Sequence, residues 1–274
     1  MIAFSNCKIN LGLHIINKRE DGFHNLETVF YPIPLADSLE LIENDSNLFN
    51  SVSFKSFGLS IDGSLENNLI VKAYRLLAND FNMKAVDFYL LKNIPMGAGL
   101  GGGSSNAAFA LKLLNNSLEL NLSKKQLENY AAILGSDCAF FIENKPSYAT
   151  GRGEVLETIT IDLNGYFFVL VKPNIHVSTA KAFANVYKRG EGSISLKELI
   201  KNPIENWNGL IENDFEKSVF KHHPSIGLIK EKLYDNGAIY ASMSGSGASV
   251  FGLFKNEIDL KGQFENDFYF SCKL

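Results

Sequence analysis

The stretch from Pro95 to Ala108, PMGAGLGGGSSNAA, constrains this chain more than any other. Five glycines fall between Gly97 and Gly103, two serines follow, and an apolar helix-forming run begins at once. Glycine reaches left-handed backbone conformations, and without a Cβ it lets other groups approach the main chain. A glycine-rich turn that opens into a helix leaves N–H groups unpaired, and the helix dipole adds positive potential there. That combination suits an oligophosphate. A flexible linker is the alternative, but linkers are rarely followed directly by an apolar helical pattern.

Two familiar phosphate motifs nearly fit. Gly97, Gly99 and Gly102 match GxGxxG, the dinucleotide fingerprint, which needs a strand–turn–helix–strand unit. Here the helix after the loop leads into a second helix, so the context fails. In GxxxxGK[ST], Gly97 and Gly102 are correctly spaced, but Gly103 stands where lysine is required. The loop therefore lacks the point charge that meets outer phosphates, and its cation must come from elsewhere in the chain.

With 274 residues the chain can bury a sizeable core and form two domains. A net charge of −4 argues against a general nucleic-acid binder. The three cysteines, Cys7, Cys138 and Cys272, give neither a disulfide framework nor a zinc pattern. The start of the sequence does not read as a signal peptide, and no run approaches the ~18 apolar residues of a membrane span. The expectation is a cytoplasmic protein with no nucleic-acid or membrane partner.

Periodicity predicts strands over residues 2–16, 26–31, 37–43, 51–61 and 86–94, with Pro32 and Pro34 ending the second. It predicts helices over residues 67–81, capped by Asn67 or Asn68, and from Ser104 or Ser105 to about 115. A capping box at Ser123 and Gln126 starts a third helix, which Gly135 ends. The run 139–142 reads as a short buried strand and ATGRGE, 149–154, as a turn at a domain boundary. Beyond it come a strand over 166–172, helices over 178–187, 195–201, 206–220 and 224–236, a glycine-rich hairpin over 239–254, and a closing strand over 268–272. The alternation suggests two α+β layers, residues 1–154 and 155–274.

The glycine stretch resembles the second motif of the galactokinase, homoserine kinase, mevalonate kinase and phosphomevalonate kinase (GHMP) superfamily. NCKINLGLHI resembles the first motif and MSGSGASVF, 243–251, the third, in the same order along the chain. The triple glycine before SSNAA, the segment KREDGFHNLETVF, LGSDCAFFI and ATGRGE narrow the resemblance to the 4-diphosphocytidyl-2-C-methylerythritol kinases. The resemblance implies an amino-terminal domain like ribosomal protein S5 domain 2, a carboxy-terminal ferredoxin-like α/β sandwich, and an active site in the cleft between them. It also implies ATP-dependent phosphorylation of the 2-hydroxyl of a cytidine-diphosphate-linked methylerythritol, in the non-mevalonate route to isoprenoids. Other kinases of the superfamily, or a non-catalytic sugar or nucleotide sensor, are the alternatives.

Asp137 enters an apolar segment, which implies a partner, a task or a turn-capping role. Lys8 interrupts an apolar strand, where lysine is excluded unless it pairs or snorkels. The resemblance makes Asp137 the base and Lys8 its partner at the reacting hydroxyl. Asn10 points the same way as Lys8 on a strand, toward the site or toward a structural hydrogen bond. Pro95, Met96, Gly97, Ala98, Gly99, Leu100, Gly101, Gly102, Gly103, Ser104 and Ser105 are the expected ATP loop, with Mg²⁺ held through phosphates and water rather than by protein ligands. By resemblance, His24 hydrogen-bonds cytosine while Phe23, in the family's tyrosine position, packs on the base. Phe183 would cover the other face, or serve as core, and His176 and Thr179 would touch the diphosphate or the methylerythritol. Ser244 to Gly247 is expected to abut the first motif and the phosphate loop. Cys7 and Cys138 read as small buried side chains, and the chain as a monomer or weak homodimer.

Overall fold

The computed structural model describes residues 1–44, 49–184 and 194–274. In chain order the strands are β1 (Ile2–Lys18), β2 (His24–Glu43), β3 (Val52–Gly58), β4 (Val86–Lys92), β5 (Ser147–Thr150), β6 (Val155–Thr158), β7 (Phe167–Lys172), β8 (Tyr240–Met243), β9 (Val250–Phe254) and β10 (Phe268–Lys273). The helices are α1 (Leu69–Ala78), α2 (Gly102–Ser117), α3 (Lys124–Leu134), α4 (Phe140–Glu143), α5 (Thr179–Ala184), α6 (Leu196–Leu199), α7 (Phe215–His222) and α8 (Pro224–Asp235). They form two compact units that interleave along the chain. The first contains Met1–Cys7, Pro34–Met96 and Gly101–Lys145; the second contains Lys8–Ile33, Gly97–Leu100 and Pro146–Leu274. Both β1 and β2 are long enough to contribute to each.

In the first unit, β2 pairs antiparallel with β4 from Ser38↔Leu91 to Glu43↔Val86. β3 lies parallel to β4, and a parallel pair needs a crossover, which α1 supplies. Asn68 caps α1 by accepting from the Ile70 N–H at 2.9 Å. Ile70, Val71, Ala73, Tyr74 and Leu77 form its buried face. α2 packs on it and buries Ala107, Ala108, Ala110, Leu111 and Leu114. α3 starts with the predicted capping box of Ser123 and Gln126.

In the second unit, β2 pairs with β5 from Thr28↔Ala149 to Phe30↔Ser147, and β5 pairs with β6. A second sheet has the order β10-β7-β9-β8, antiparallel throughout. Numbered by appearance this is 4-1-3-2, the ferredoxin-like order. α8 covers β8 and β9 with Ile226, Ile229 and Leu233. Pro224 opens α8, and Gly237 follows it at φ 91°.

Four local expectations are corrected. The run at 139–142 is the helical turn α4 and not a strand; a short apolar run that is buried on all sides carries no period to separate the two. β2 continues through Pro32 and Pro34, which fall between Phe30, the last residue paired with β5, and Ser38, the first paired with β4. Trp207 lies outside α7, because the chain turns at Gly209 (φ 75°) before that helix begins. Its indole N–H donates to the Asn202 carbonyl at 2.8 Å. α2 is capped by Gly101 at φ 68°, so Ser104 and Ser105 lie inside its first turns. The last three residues of the helix expected over 178–187 lie outside the described residues.

Candidate functional site

The glycine stretch follows β4 and ends in α2. Gly97, Gly99 and Gly101 all have left-handed backbones, with φ of 58°, 74° and 68°. These alternate glycines turn the chain sharply enough to start α2 at Gly102. The first N–H groups of that helix have no intrahelical acceptor. The Ser105 hydroxyl, in the same turn, is buried without a partner among the described residues. A Cβ on Gly102 would lie 2.9 Å from Ile94 Cγ2 and 3.1 Å from Lys92 Nζ. Backbone donors and an orphan hydroxyl fit a phosphate group, and the close approach of Ile94 and Lys92 explains why Gly102 carries no side chain.

Within the second unit, Gly97–Leu100 are held by both of the other glycine-containing segments. Lys8 donates its N–H to the Leu100 carbonyl at 3.0 Å. Its ammonium donates to Asn10 Oδ1 at 2.8 Å and to the Gly99 carbonyl at 3.2 Å, and stands 4.9 Å above the Phe30 ring. Only 3% of Lys8 is exposed. Asn10 in turn donates to Thr28 Oγ1 at 2.7 Å, and that hydroxyl donates to the Gly12 carbonyl. Ser244 donates to the Gly99 carbonyl at 2.9 Å, and the Asn10 N–H donates back to the Ser244 hydroxyl at 3.3 Å. A Cβ on Gly99 would run into the Ser244 carbonyl. The structure thus brings Lys8, Asn10, Gly99 and Ser244 together. Asn213, which the sequence reading did not single out, donates to the carbonyls of Met243 and Gly245 at 2.7 and 2.8 Å and fixes the turn that follows β8.

Within the first unit, Asp137 lies just after Gly135, the C-cap of α3, at the turn closed by the Cys138 N–H on the Gly135 carbonyl. Burial pushes the neighbouring Cys138 thiol up to about 12, against an opposing hydrogen bond to Ser104. A thiol so shifted stays protonated and inert at neutral pH. Ser104 and Asp137 therefore both adjoin one buried sulfur.

The residues expected to take the nucleoside are close in sequence but differ in setting. Phe23 is more than half exposed, and the Arg152 guanidinium, from the ATGRGE turn, sits 5.0 Å over its ring. His24 stacks directly on Phe183, with centroids 5.0 Å apart and planes at 20°. Phe183 also meets Phe215 edge-on at 4.7 Å. Burial, helped by Lys18, lowers the His24 pKa, so its imidazole is neutral at pH 7. Thr179 Oγ1 is 2.9 Å from Ser246 Oγ. His176 packs against Gly97, where an added Cβ would lie 3.1 Å from its Nδ1.

A cavity of about 290 Å³ opens beside the loop in the first unit. Phe54, Ile61, Leu69 and Leu90 give it apolar walls, while Asn67, Lys92, Met96 and Gly103 join them at the loop. Lys92 was not singled out in the sequence, although the signal was there: it breaks an apolar strand as Lys8 does. Among the described residues, no group of three or more His, Cys, Asp or Glu side chains is placed to hold a metal ion, and no helix is long and apolar enough to cross a membrane.

Residues 68–145 match the family described as GHMP kinases N terminal domain, and 195–263 match GHMP kinases C terminal. A 4-diphosphocytidyl-2-C-methyl-D-erythritol kinase from Bacteroides fragilis is 55% identical over 276 residues, covering 100% of both chains. The chain belongs to the 4-diphosphocytidyl-2-C-methyl-D-erythritol kinase family. A solved 4-(cytidine 5'-diphospho)-2C-methyl-D-erythritol kinase superposes with a TM-score of 0.77 at 29% identity, over 92% of this chain and 90% of that one. The Methanococcus jannaschii mevalonate kinase shares the fold, with a TM-score of 0.72 at 14% identity over 100% and 98% of the two chains. As a member of the 4-diphosphocytidyl-2-C-methyl-D-erythritol kinase family, the chain is an ATP-dependent small-molecule kinase. The amino-terminal family match contains the glycine loop and Asp137, and the carboxy-terminal match contains Asn213 and Ser244.

Proposed function

We propose that the protein transfers the γ-phosphoryl group of ATP to the 2-hydroxyl of 4-diphosphocytidyl-2-C-methyl-D-erythritol, in the non-mevalonate route to isoprenoids. The observation that carries this reading is the buried Lys8 ammonium at the carbonyl of Gly99, a cation brought to a glycine loop that has no lysine of its own. The loop from Pro95 to Ser105 cradles the phosphates through its N–H groups, and the adenine takes the apolar cavity beside Met96 and Gly103. Mg²⁺, which neutralises phosphate charge when bound, is carried on phosphate oxygens and water. Asp137 accepts the proton of the attacking hydroxyl, and Lys8 offsets the negative charge that develops. Asn10 orients the Lys8 ammonium and borders the acceptor. Neutral His24 hydrogen-bonds the cytosine, Phe23 and Phe183 supply aromatic surface for it, and Thr179 binds the polar part of the acceptor. In this reading the chain works in the cytoplasm as a monomer or weak homodimer.

An ADP-release assay over a panel containing the cytidyl substrate, homoserine and mevalonate tests the substrate. Turnover of either of the last two without the first would overturn it. Asp137→Asn is expected to lower kcat by about 10²–10⁴-fold, the usual range for a lost general base, with ATP affinity kept. Wild-type turnover in that variant would remove Asp137 from the mechanism.

A further inference from the structure

Asp37 is fully buried, and its two carboxylate oxygens grip both ends of the glycine loop. Oδ1 accepts the backbone N–H groups of Asn93 at 2.7 Å and Ile94 at 2.8 Å, where the chain leaves β4. Oδ2 accepts from the ammonium of Lys92, at the end of β4, and from Asn106 Nδ2 at 2.9 Å, on α2. Asn106 also reaches Ser5 Oγ at 2.8 Å. Asp37, Lys92, Asn106 and Ser5 are all nine-tenths buried or more.

Stability alone is a poor reason to keep this arrangement, because a buried ion pair can often be replaced by apolar side chains at little cost. The geometry gives it another use. Lys92 Nζ lies 3.1 Å from where a Gly102 side chain would begin, and Lys92 and Gly103 border the same cavity. Lys92 thus sets a positive charge at the amino end of α2, a place where the loop's own sequence supplies none. Burial disfavours that charge, and Asp37 opposes the effect. The same carboxylate fixes the peptide groups that direct the chain into Pro95.

We propose that Asp37 is a positioning residue for the nucleotide: by holding Lys92, the Asn93–Ile94 peptides and Asn106, it sets the spacing of the loop's two ends and keeps the Lys92 ammonium at the start of α2. The inference rests on the reading of this loop as the ATP site. A loop so bracketed binds a triphosphate without first being ordered, and affinity for ATP carries that benefit.

Calorimetric ATP binding and steady-state kinetics on wild type, Asp37→Asn, Lys92→Met and the double variant test it. Each single variant is expected to weaken ATP binding and raise its KM by at least about tenfold, the effect of losing a charge-assisted contact. KM for the cytidyl substrate should stay within about twofold, since Asp37 acts only on the nucleotide loop. The double variant is expected to regain thermal stability, because no unpaired buried charge remains, without regaining ATP affinity. Wild-type ATP affinity in both single variants, or recovery of affinity together with stability in the double variant, would overturn the proposal. Should Asp37→Asn fail to fold, Lys92→Met alone decides by the same ATP criterion. Absence of ATP binding by the wild type would instead overturn the nucleotide reading beneath it.

Discussion

Lys112 lies on α2 with its ammonium 4.3 Å from the centre of the Phe109 ring, and burial pushes its pKa down to about 8. In the unfolded chain the value is near 10.4. Folding therefore disfavours the charged form: the penalty is absent above about pH 10.4, grows as pH falls to about 8, and is constant below. Lys112→Met keeps the packed stem and removes the charge. It should stabilise the protein at pH 7 by on the order of 1–2 kcal/mol, and denaturant midpoints should converge with wild type near pH 10.5. His24 poses the same question near neutrality. Burial holds its folded pKa below the ordinary imidazole value of about 6.5, so the neutral ring persists below that pH. NMR titration of His24 should show a midpoint under 6.5, and KM for the cytidyl substrate should stay flat through pH 6.5 and rise only as pH falls through that midpoint. Stability from this group is lost as pH falls from 6.5 through the folded value. At this scale the sequence exposed Lys8, since lysine in an apolar strand demands a partner, and the same signal, unused there, marks Lys92. It hid Asp37, because an aspartate in a loosely alternating strand reads as an ordinary exposed position.

The elements were legible where periodicity ran long, and obscure where tertiary pairing decided. α1 and its Asn68 cap, the capping box of α3 and the Pro224–Gly237 frame of α8 follow from local chemistry alone. α4 and the passage of β2 through Pro32 and Pro34 do not, because each depends on which neighbours are present to pair. The glycine loop lies between these cases. Its left-handed turns were readable, and so was the packing of Ser244 to Gly247 against it; which atom, the Ser244 carbonyl, takes the space beside Gly99 was not. Gly99→Ala should therefore be far worse than an ordinary surface change. Besides the strain of φ 74°, its Cβ has no room, and the loop or the Ser244 turn must move. A loss of at least about 2 kcal/mol in chemical denaturation, together with a large rise in KM for ATP, is expected. Wild-type kinetics in this variant would mean that the loop tolerates displacement there.

Across the whole molecule, three motifs in order along the sequence conveyed the family without any structure, because each is a backbone arrangement that few residues permit. What the sequence could not convey was the interleaved division into units. Lys8, Gly99 and Ser244 fall in one compact unit and the flanking Pro34–Met96 and Gly101–Lys145 in another, so the chain alternates between them. Contacts of this kind depend on long-range strand pairing, which no local pattern encodes.

That alternation also has a history in the order in which the chain is made. Asn10 leaves the ribosome early, yet its hydrogen-bonded neighbour Ser244 is 234 residues further on. At synthesis rates of roughly 5–20 residues per second, the wait is on the order of ten to fifty seconds. Throughout it, the apolar strand carrying Lys8 and Asn10 lacks the late-made half of its unit. The strand that carries Lys8 and Asn10 thus waits for a partner made late, and synthesis of the Ser244 turn, rather than any local turn, sets when that hydrogen bond can form.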